Sequence, residues 1–183
     1  MDPEKELISR CLDRDPAAQE FLYRTFAPRM YGVCQRYAKN NTEAQDMFQE
    51  GFIRAFRHLK DYRFEGSFEG WLHRVFVTTA INIRRKELRF RSEEISGEEE
   101  QLPDSCADAI SRLSLQELLQ IIGELPTGYR VIFNMYVIEG YSHKEIGKML
   151  GISESTSKSQ LWCARRQLRM NILQTGNGNG RAR

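Results

Sequence analysis

The chain has 183 residues, of which 40% are hydrophobic and 28% charged, and its formal net charge is +2. This length fits one large domain or two small ones. No apolar run is long enough to span a membrane and no signal peptide opens the chain, so we predict a cytoplasmic protein without membrane insertion.

Charge is distributed unevenly along the chain. Residues 93–108 contain seven acidic residues and no basic one. Removing these seven charges from the net +2 leaves +9, of which residues 1–92 carry +4 and residues 109–183 carry +5. Two basic segments joined by an acidic one indicate a polyanionic partner at both ends.

Cysteine and histidine spacing argues against a metal site. The four cysteines form no CxxC pair, and the three histidines lie far from them in the sequence. We therefore predict buried, reduced thiols, with neither a metal nor a cofactor.

The first forty residues predict two helices. Each begins at an Asp-Pro pair, Asp2-Pro3 or Asp15-Pro16, which combines an N-cap with proline at the first helical position. The residues expected to face inward are Leu7, Ile8, Cys11 and Leu12 in the first helix, and Phe21, Leu22, Phe26 and, after Pro28, Met30, Val33, Cys34 and Tyr37 in the second.

A third helix is predicted from Glu43 to Leu59. Asn41-Thr42 is expected to cap it, with Gln45 completing a capping box. Its apolar face carries Phe48, Phe52, Ala55, Phe56 and Leu59. A polar face, which is either solvated or docks a basic partner, carries Asp46, Gln49, Glu50 and Arg57.

Residues 61–70, DYRFEGSFEG, predict a loop whose Ser67 caps a fourth helix. Aromatic rings beside basic residues are typical of single-stranded nucleic-acid binding, because the rings stack on bases and the cations neutralise phosphates. The alternative is that the aromatics are core and the basic run favours the helix C-terminus. For Phe68 and Trp71 we favour the core. The helix carries Trp71, Leu72, Val75, Phe76, Thr79 and Ile83 and ends in Arg84, Arg85 and Lys86.

Residues 93–104 predict a linker, because they combine Gly, Pro and acids with little apolar content. A helix is predicted over 107–122, and Leu125-Pro126 ends it. Another helix is predicted over 127–138, and Gly140 ends it. The residues expected to face inward are Ile110, Leu113, Leu118 and Ile121, then Val131, Ile132, Met135 and Tyr136.

Residues 141–168 predict a helix-turn-helix. Ser142 and Glu145 form a capping box, Gly151 supplies a left-handed turn, and Ser153 caps the second helix. Leu161, Ala164 and Leu168 would face inward. Short polar side chains near the start of the opposite face, with arginines further along, suit a helix in a major groove. The alternative is a helical hairpin with a solvated basic face. The outer residues are Ser155, Thr156, Lys158, Ser159, Trp162, Arg165, Arg166 and Arg169.

Together these segments resemble a bacterial RNA polymerase sigma factor of the extracytoplasmic-function (ECF) type. Four motifs in order carry the resemblance: Asp46-x-x-Gln49-Glu50-x-Phe52; Ser67-Phe68-x-x-Trp71-Leu72 followed by Arg85-Lys86; Leu125-Pro126-x-x-x-Arg130-x-x-Phe133; and Gly140-Tyr141-Ser142-x-x-Glu145-Ile146 through Ala164-Arg165.

The sequence departs from the family pattern at five positions. Thr78, Asn82, Ser155, Ser157 and Gln160 stand where the family often has Asn, Asp, Gly, Val and Arg. We expect the inward Ser157 to weaken packing slightly unless its hydroxyl finds a hydrogen-bond partner.

An all-α chain is predicted, because no strand-like alternation occurs. The resemblance implies two helical domains, sigma region 2 in residues 1–92 and sigma region 4 in 105–175. A flexible acidic linker, 93–104, would join them, and a flexible tail, 176–183, would follow.

The resemblance implies a function without enzymatic chemistry. The chain would bind core RNA polymerase, recognise the −35 and −10 promoter elements and promote DNA opening. The implied partners are the β′ clamp helices and β flap of the polymerase, promoter DNA and an anti-sigma factor. The implied contact residues are Asp46, Gln49 and Glu50 for polymerase; Tyr62, Arg63, Phe64, Asn82, Arg85 and Lys86 for the −10 element; and Ser155, Thr156, Lys158, Ser159, Trp162, Arg165 and Arg166 for the −35 element.

Two other functions are weighed against this one. A stand-alone helix-turn-helix regulator acting without core polymerase would need a dimer interface or an effector pocket, and the sequence shows no clear sign of either. A metalloenzyme using Asp46 and Glu50 would need an inward Glu-x-x-His pair, which does not occur.

Overall fold

The structure is a computed structural model that describes residues 3–88 and 114–178. These residues form helices and connecting turns without a strand among them, which confirms the all-α class. The chain divides into two compact units, Met1–Asn82 and Ile83–Arg183. The predictions for linker 93–104, for residues 107–113 of helix 107–122 and for tail residues 179–183 lie outside the described residues. The predicted helix does not run through Ser114, which has an extended backbone and caps a helix that begins at Leu115.

Four helices follow one another in the first part of the chain. They are α1 (Pro3–Leu12), α2 (Pro16–Tyr37), α3 (Asn41–His58) and α4 (Phe68–Leu88), with a 3₁₀ turn at Leu59–Asp61. α2 runs unbroken through Pro28.

Side-chain caps start α2 and α3. The Asp15 carboxylate accepts a hydrogen bond from the backbone N of Ala17 at 2.9 Å, as predicted. The predicted capping box at Asn41-Thr42 and Gln45 is wrong. Asn40 caps α3, accepting from the backbone N of Glu43 at 2.9 Å. Glu43 lies three residues after Asn40, as in a capping box, and its carboxylate accepts in return from the backbone N of Lys39.

Aromatic rings form much of the first unit's core. Phe52 and Phe76 meet edge to face at a centroid distance of 5.1 Å, and Phe48 lies 5.1 Å from Phe52. Gly51 lets α3 approach α4 at this point, because a Cβ there would lie 2.4 Å from the Phe76 ring. Met47 and Ala44 extend the buried face.

Two residues of the first unit that were predicted to face inward are exposed. Leu12 is 47% exposed because it is the last residue of α1, which is buried through Ile8 and Cys11. Phe21 is 61% exposed. The buried stripe of α2 passes through Ala18 and Leu22. Phe21 precedes Leu22 by one residue, and one step along a helix turns a side chain by about 100°, away from that stripe.

The second part of the chain contains α5 (Leu115–Gly123), α6 (Thr127–Phe133), a π-helical turn (Asn134–Ile138), α7 (His143–Leu150) and α8 (Glu154–Gly178). α5, the Leu125 break and α8 share a buried cluster of Ile121, Ile122, Leu125, Ala164, Leu168 and Ile172. Residues 176–178, predicted as part of the tail, belong to α8.

The predicted helix over 127–138 changes its winding partway along. The backbone N of Glu139 donates to the carbonyl of Asn134 at 2.9 Å, an i→i+5 bond. The wider turn rotates the following side chains. Val131, Ile132 and Met135 are buried as predicted, whereas Tyr136 is 36% exposed.

Arg130, one of the motif residues, is buried and joins two helices of the second part of the chain. It is 2% exposed, and its Nη1 donates to the carbonyl of Gly123 at 2.6 Å. This bond satisfies a terminal carbonyl of α5. Along the described ranges, none of the helices is both long and apolar enough to cross a membrane.

We predict that Gly51→Ala lowers the free energy of unfolding of the first unit by about 1–3 kcal/mol, because the added methyl overlaps the Phe76 ring. Gly32→Ala is the matched control. A Cβ at Gly32 meets nothing within 4 Å, so alanine there should stabilise α2 by roughly 0.5–1 kcal/mol. Urea unfolding followed by Trp71 fluorescence in a Trp162→Phe background measures both. Equal stabilities for the two variants would contradict the packing argument.

Candidate functional site

A polar face lies on the outside of α3. Asp46 and Gln49 are exposed, and Glu50 is half-buried, with its Oε1 accepting from Nε of Arg54 at 2.5 Å. A groove of about 460 Å³ adjoins this face and shares Gln49 with it. The groove combines rings, a proline and amides: Tyr23, Ala27, Pro28, Tyr31, Gln45, Phe48 and Gln49. We call the three residues Asp46, Gln49 and Glu50 the α3 face.

Residues 62–66, between the 3₁₀ turn and α4, form a loop that we call the aromatic loop. Tyr62 is only 7% exposed, and its ring lies 4.7 Å from Phe64 and 5.4 Å from Phe68. The base-stacking role predicted for Tyr62 does not fit this position, because its ring already packs within the first unit. Arg63 is exposed and Phe64 is 41% exposed.

α4 begins and packs largely as predicted. Ser67 caps it, accepting from the backbone N of Gly70 at 3.1 Å. Phe68 is 2% exposed, and Trp71 is half-buried and stacked on it at 5.5 Å. Phe68 therefore belongs to the core, and the half-buried Trp71 packs against it, which supports the alternative that we favoured for them.

The remaining residues of the predicted −10 set lie toward the other end of α4. Asn82 is half-buried and stands roughly 21 Å along the helix from Phe68, at about 1.5 Å per residue. Arg85 is also half-buried. Arg84 is fully buried, so the predicted basic run is not one continuous surface. The side chain of Lys86 lies outside the described part of the chain.

The helix-turn-helix has the predicted capping geometry. The backbone N of Ser142 donates to Glu145 Oε2 at 2.8 Å, and the Ser142 hydroxyl accepts from the backbone N of Glu145 at 3.3 Å. The Ser142 hydroxyl and backbone lower the pKa of Glu145. Gly151 adopts φ +74°, the left-handed residue of the turn. Gly147 packs so tightly that a Cβ would lie 2.9 Å from the carbonyl oxygen of Ile152.

All seven residues predicted to contact the −35 element lie in the first half of α8. Ser155, Lys158, Arg165 and Arg166 are exposed, whereas Thr156, Ser159 and Trp162 are half-buried. We call this set the α8 face.

Several side chains of the α8 face already have partners within the chain. Ser153 Oγ caps α8 at 2.9 Å from the backbone N of Thr156, and it lies 2.8 Å from the Ser155 hydroxyl. Lys158 pairs with Glu154 at 2.9 Å, which lowers the pKa of Glu154. The Arg166 guanidinium lies 5.4 Å from the centre of the Trp162 ring.

A buried polar cluster joins α7 to α8. Ser157 is fully buried, and its Oγ lies 3.0 Å from Nδ1 of His143. The buried Ser157 hydroxyl therefore has a hydrogen-bond partner. Such a partner was the condition under which we expected Ser157 not to weaken the packing. The His143 ring stacks on Tyr136 at 4.3 Å, and the Arg165 guanidinium lies 5.9 Å from the same Tyr136 ring. Burial, and then the charge of Lys158, lowers the pKa of His143.

Sequence reasoning missed His143 and Tyr136. His143 lies fourteen positions before Ser157 and on a different helix, so no local spacing links them. The one available signal was Ser157 itself, a hydroxyl at an inward position that needs a partner.

No metal-binding constellation is found among residues 3–88 and 114–178, where no group of three or more His, Cys, Asp or Glu could hold an ion. Cys11 and Cys34 are buried free thiols. Burial raises the pKa of Cys34 to about 12, which suppresses the reactive thiolate.

Comparison with known proteins assigns a family to each part of the chain. Sigma-70 region 2 matches residues 22–90, and Sigma-70, region 4 matches residues 115–168. The ECF RNA polymerase sigma factor SigE of Mycolicibacterium smegmatis is 35% identical over 153 residues; the match covers 81% of this chain and 59% of SigE. The chain therefore spans less than two thirds of that relative's length.

Two further similarities were found. The ECF RNA polymerase sigma factor SigW of Bacillus subtilis is 29% identical, with 92% of this chain and 96% of SigW covered. Among solved structures, the sigma factor RpoE from Bartonella quintana, in complex with the anti-sigma factor NepR, aligns at 16% identity and a TM-score of 0.48. That alignment covers 85% of this chain and 96% of the other.

We predict that His143 makes the second unit less stable in mild acid. Its folded pKa lies below the unfolded value of about 6.5, so the unfolded chain takes up the proton more readily. The stability is complete above the unfolded pKa and falls as pH decreases toward the folded pKa. Urea unfolding at pH 7.5 and pH 5.5, followed by Trp162 fluorescence in a Trp71→Phe background, should show this loss.

In His143→Phe the difference in stability between the two pH values should shrink. His58→Phe, which removes an exposed histidine from the first unit, should leave the difference unchanged. The same pH dependence in His143→Phe and in the parent chain would show that His143 is not its source.

Proposed function

The chain belongs to the extracytoplasmic-function (ECF) sigma factors of bacterial RNA polymerase, and we propose that it binds core polymerase, recognises the −35 and −10 promoter elements and promotes DNA opening without covalent chemistry of its own. One observation carries this proposal. Both sigma regions occur in order, and each presents a polar surface: the α3 face and aromatic loop in region 2, and the α8 face in region 4.

We propose region 2 in residues 1–92 and region 4 in residues 105–175, joined by linker 93–104. A cytoplasmic location follows from the need to meet both polymerase and DNA. Besides the β′ clamp helices, the β flap and an anti-sigma factor are proposed partners, on the strength of the family.

We assign polymerase docking to the α3 face. Asp46 and Gln49 project into solvent, and Glu50 is held by Arg54 so that one carboxylate oxygen has a fixed position. Charged groups at an interface chiefly set specificity and on-rate, while apolar contacts contribute affinity. The adjoining groove offers Tyr23 and Phe48 for such contacts. This combination suits a basic partner with apolar side chains, and the family makes the β′ clamp helices the proposed partner.

We assign capture of an unpaired −10 base to the aromatic loop. Unstacking a base costs a few kcal/mol. Stacking on an aromatic ring returns about 1–3 kcal/mol, and a phosphate contact adds to it. Phe64 has an exposed ring and Arg63 an exposed cation, whereas Tyr62 holds the loop from within. Asn82, Arg85 and Lys86 would hold the neighbouring strand further along α4.

We assign reading of the −35 element to the α8 face. A hydroxyl can donate one hydrogen bond and accept two, so the hydroxyls of this face can bond to DNA in addition to their partners within the chain. On binding DNA, Lys158 would leave its ion pair with Glu154 and contact a base edge or a phosphate instead. Arg165 and Arg166 lie further along α8 and suit phosphates, which position a protein without reading sequence.

Adding the protein to bacterial core polymerase and sequencing the transcripts that start tests the function. We expect initiation from a defined set of promoters. A stand-alone regulator would instead shift duplex promoter DNA in a gel without polymerase and would start no transcripts with it.

We predict that Glu50→Lys weakens binding to core polymerase by about tenfold, because it reverses a charge on the docking face and breaks the pair with Arg54. Titration of labelled core polymerase measures the affinity. Glu20→Lys is the matched control, since it reverses a charge and breaks an i,i+4 pair with Arg24 on α2. It should bind core as the parent does. If Glu50→Lys keeps its helical content and binds core polymerase as tightly as the parent chain, the α3 face is not the docking surface.

We predict that Lys158→Ala and Ser159→Ala change which −35 sequences are preferred, each by about 1–3 kcal/mol of discrimination. Arg166→Ala should instead weaken all sequences alike and reduce the salt dependence by about one phosphate contact. Holoenzyme binding to a library of −35 variants at several salt concentrations separates the two effects. An unchanged preference in both Lys158→Ala and Ser159→Ala would show that α8 does not read the element.

A further inference from the structure

We propose that Glu4, in the first turn of α1, is a positioning residue for the aromatic loop and holds it in the conformation that receives the −10 base. This inference rests on the function proposed above for that loop. Glu4 itself need not touch DNA.

The Glu4 carboxylate contacts both ends of the loop. Its Oε1 lies 3.0 Å from the hydroxyl of Tyr62, the first residue of the loop. Its Oε2 lies 3.5 Å from the backbone N of Phe68, the first residue of α4. One side chain, from a helix more than fifty positions earlier, therefore spans the two points between which the loop runs.

Both contacts are electrostatically favourable. The Tyr62 hydroxyl has one proton and two acceptors, the Gly66 carbonyl at 2.7 Å and the Glu4 carboxylate. Hydrogen bonds to an ionised acceptor are stronger than those to a neutral one. At Phe68 the carboxylate faces the start of α4, where the unpaired N–H groups and the helix dipole favour a negative charge.

The loop has a conformation that needs such support. Phe64 has φ +59°, which is uncommon for a residue with a side chain, whereas the φ of +104° at Gly66 is readily adopted by glycine. Backbone of this kind persists only where its surroundings hold it, and it often occurs at binding sites. Lys5, the neighbour of Glu4, adds a second contact from α1, with its Nζ 5.5 Å from the centre of the Phe64 ring.

A loop held in advance improves capture of a base. A flexible loop has to lose conformational freedom when it binds, and that loss weakens the complex. With Tyr62 fixed by Glu4 and packed below Phe64, the exposed Phe64 ring has a fixed support. The expected result of losing Glu4 is therefore poorer capture of the opened strand, with docking on polymerase unaffected.

The test uses the full-length chain with core polymerase on a promoter identified by sequencing transcripts of the parent holoenzyme. Permanganate reactivity of thymines near the start site counts open complexes on duplex DNA. Transcription from the same promoter with a pre-opened bubble, and binding of a single-stranded −10 oligonucleotide, are measured alongside. Thermal unfolding monitors stability.

Glu4→Ala should form about tenfold fewer open complexes, the effect of one lost bond to a charged group. It should bind the oligonucleotide more weakly, and the bubble should restore its transcription. Glu4→Gln keeps an acceptor for the Tyr62 hydroxyl and should stay within about threefold of the parent. Glu6→Ala, which removes an exposed acid from the same helix, is the matched control and should open promoters normally.

Tyr62→Phe removes the hydroxyl and keeps the ring in place. It should share the opening defect of Glu4→Ala. The double variant should be less impaired than the product of the two single effects, because both changes break the contact between Glu4 and Tyr62. Each change also removes one contact of its own, to Phe68 or to Gly66. Where Glu4→Ala does not fold, Tyr62→Phe carries the test.

Normal opening by Glu4→Ala, or by Tyr62→Phe, overturns the proposal. So does a loss in Glu4→Ala that extends equally to core binding and to the pre-opened promoter, since that result indicates general destabilisation. The proposed function fails separately, if the parent chain starts no transcripts with core polymerase. If replacing residues 62–66 abolishes opening while Glu4→Ala does not, only the role of Glu4 is wrong.

Discussion

The hydrogen bond between a side chain and the first turn of a helix is the interaction on which the rest of this structure depends. A helix start leaves backbone N–H groups without partners, and a short helix has few other bonds to offset that cost. Six described helices begin at such a cap: Asp15, Asn40, Ser67, Ser114, Ser142 and Ser153. Because the caps fix where each helix starts, they also fix which residues belong to its first turn.

The caps lie close to the surfaces that we assign to binding. Ser67 starts α4 directly after the aromatic loop, and Ser153 starts α8 beneath Ser155 and Thr156. A side chain on the first turn of a capped helix has a defined position, since the helix cannot fray there without losing the cap. Recognition by short hydroxyl side chains needs this rigidity, because such side chains cannot reach across a gap.

Polar groups in the interior join elements that are distant in sequence. Arg130 binds the end of α5, His143 meets Ser157 between α7 and α8, and Glu4 holds Tyr62 and Phe68. Each of these contacts has a direction, whereas apolar packing tolerates small rotations and shifts. They therefore add directional contacts to the apolar packing of the helix-turn-helix and beside the aromatic loop.

The sequence by itself determined the local features of this protein. The all-α class, the caps at Asp15, Ser67, Ser142 and Ser153, and the left-handed Gly151 follow from interactions within a few residues, so they could be predicted. The family followed from four motifs in order. Two predictions failed locally: Asn40 rather than Asn41-Thr42 caps α3, and the helix predicted over 127–138 contains a π-helical turn.

Only the tertiary structure decided which faces are covered and which distant residues meet. Leu12 and Phe21 have apolar side chains at nearly inward positions, yet the neighbouring helices do not reach them. Tyr62 and Phe64 look alike in the sequence, but Glu4 and Phe68 enclose the first and leave the second exposed. Burial depends on what another segment brings to a residue, and no spacing along the chain encodes that. The physical reason is that side-chain periodicity specifies a face, whereas the partner of that face is specified by packing in three dimensions.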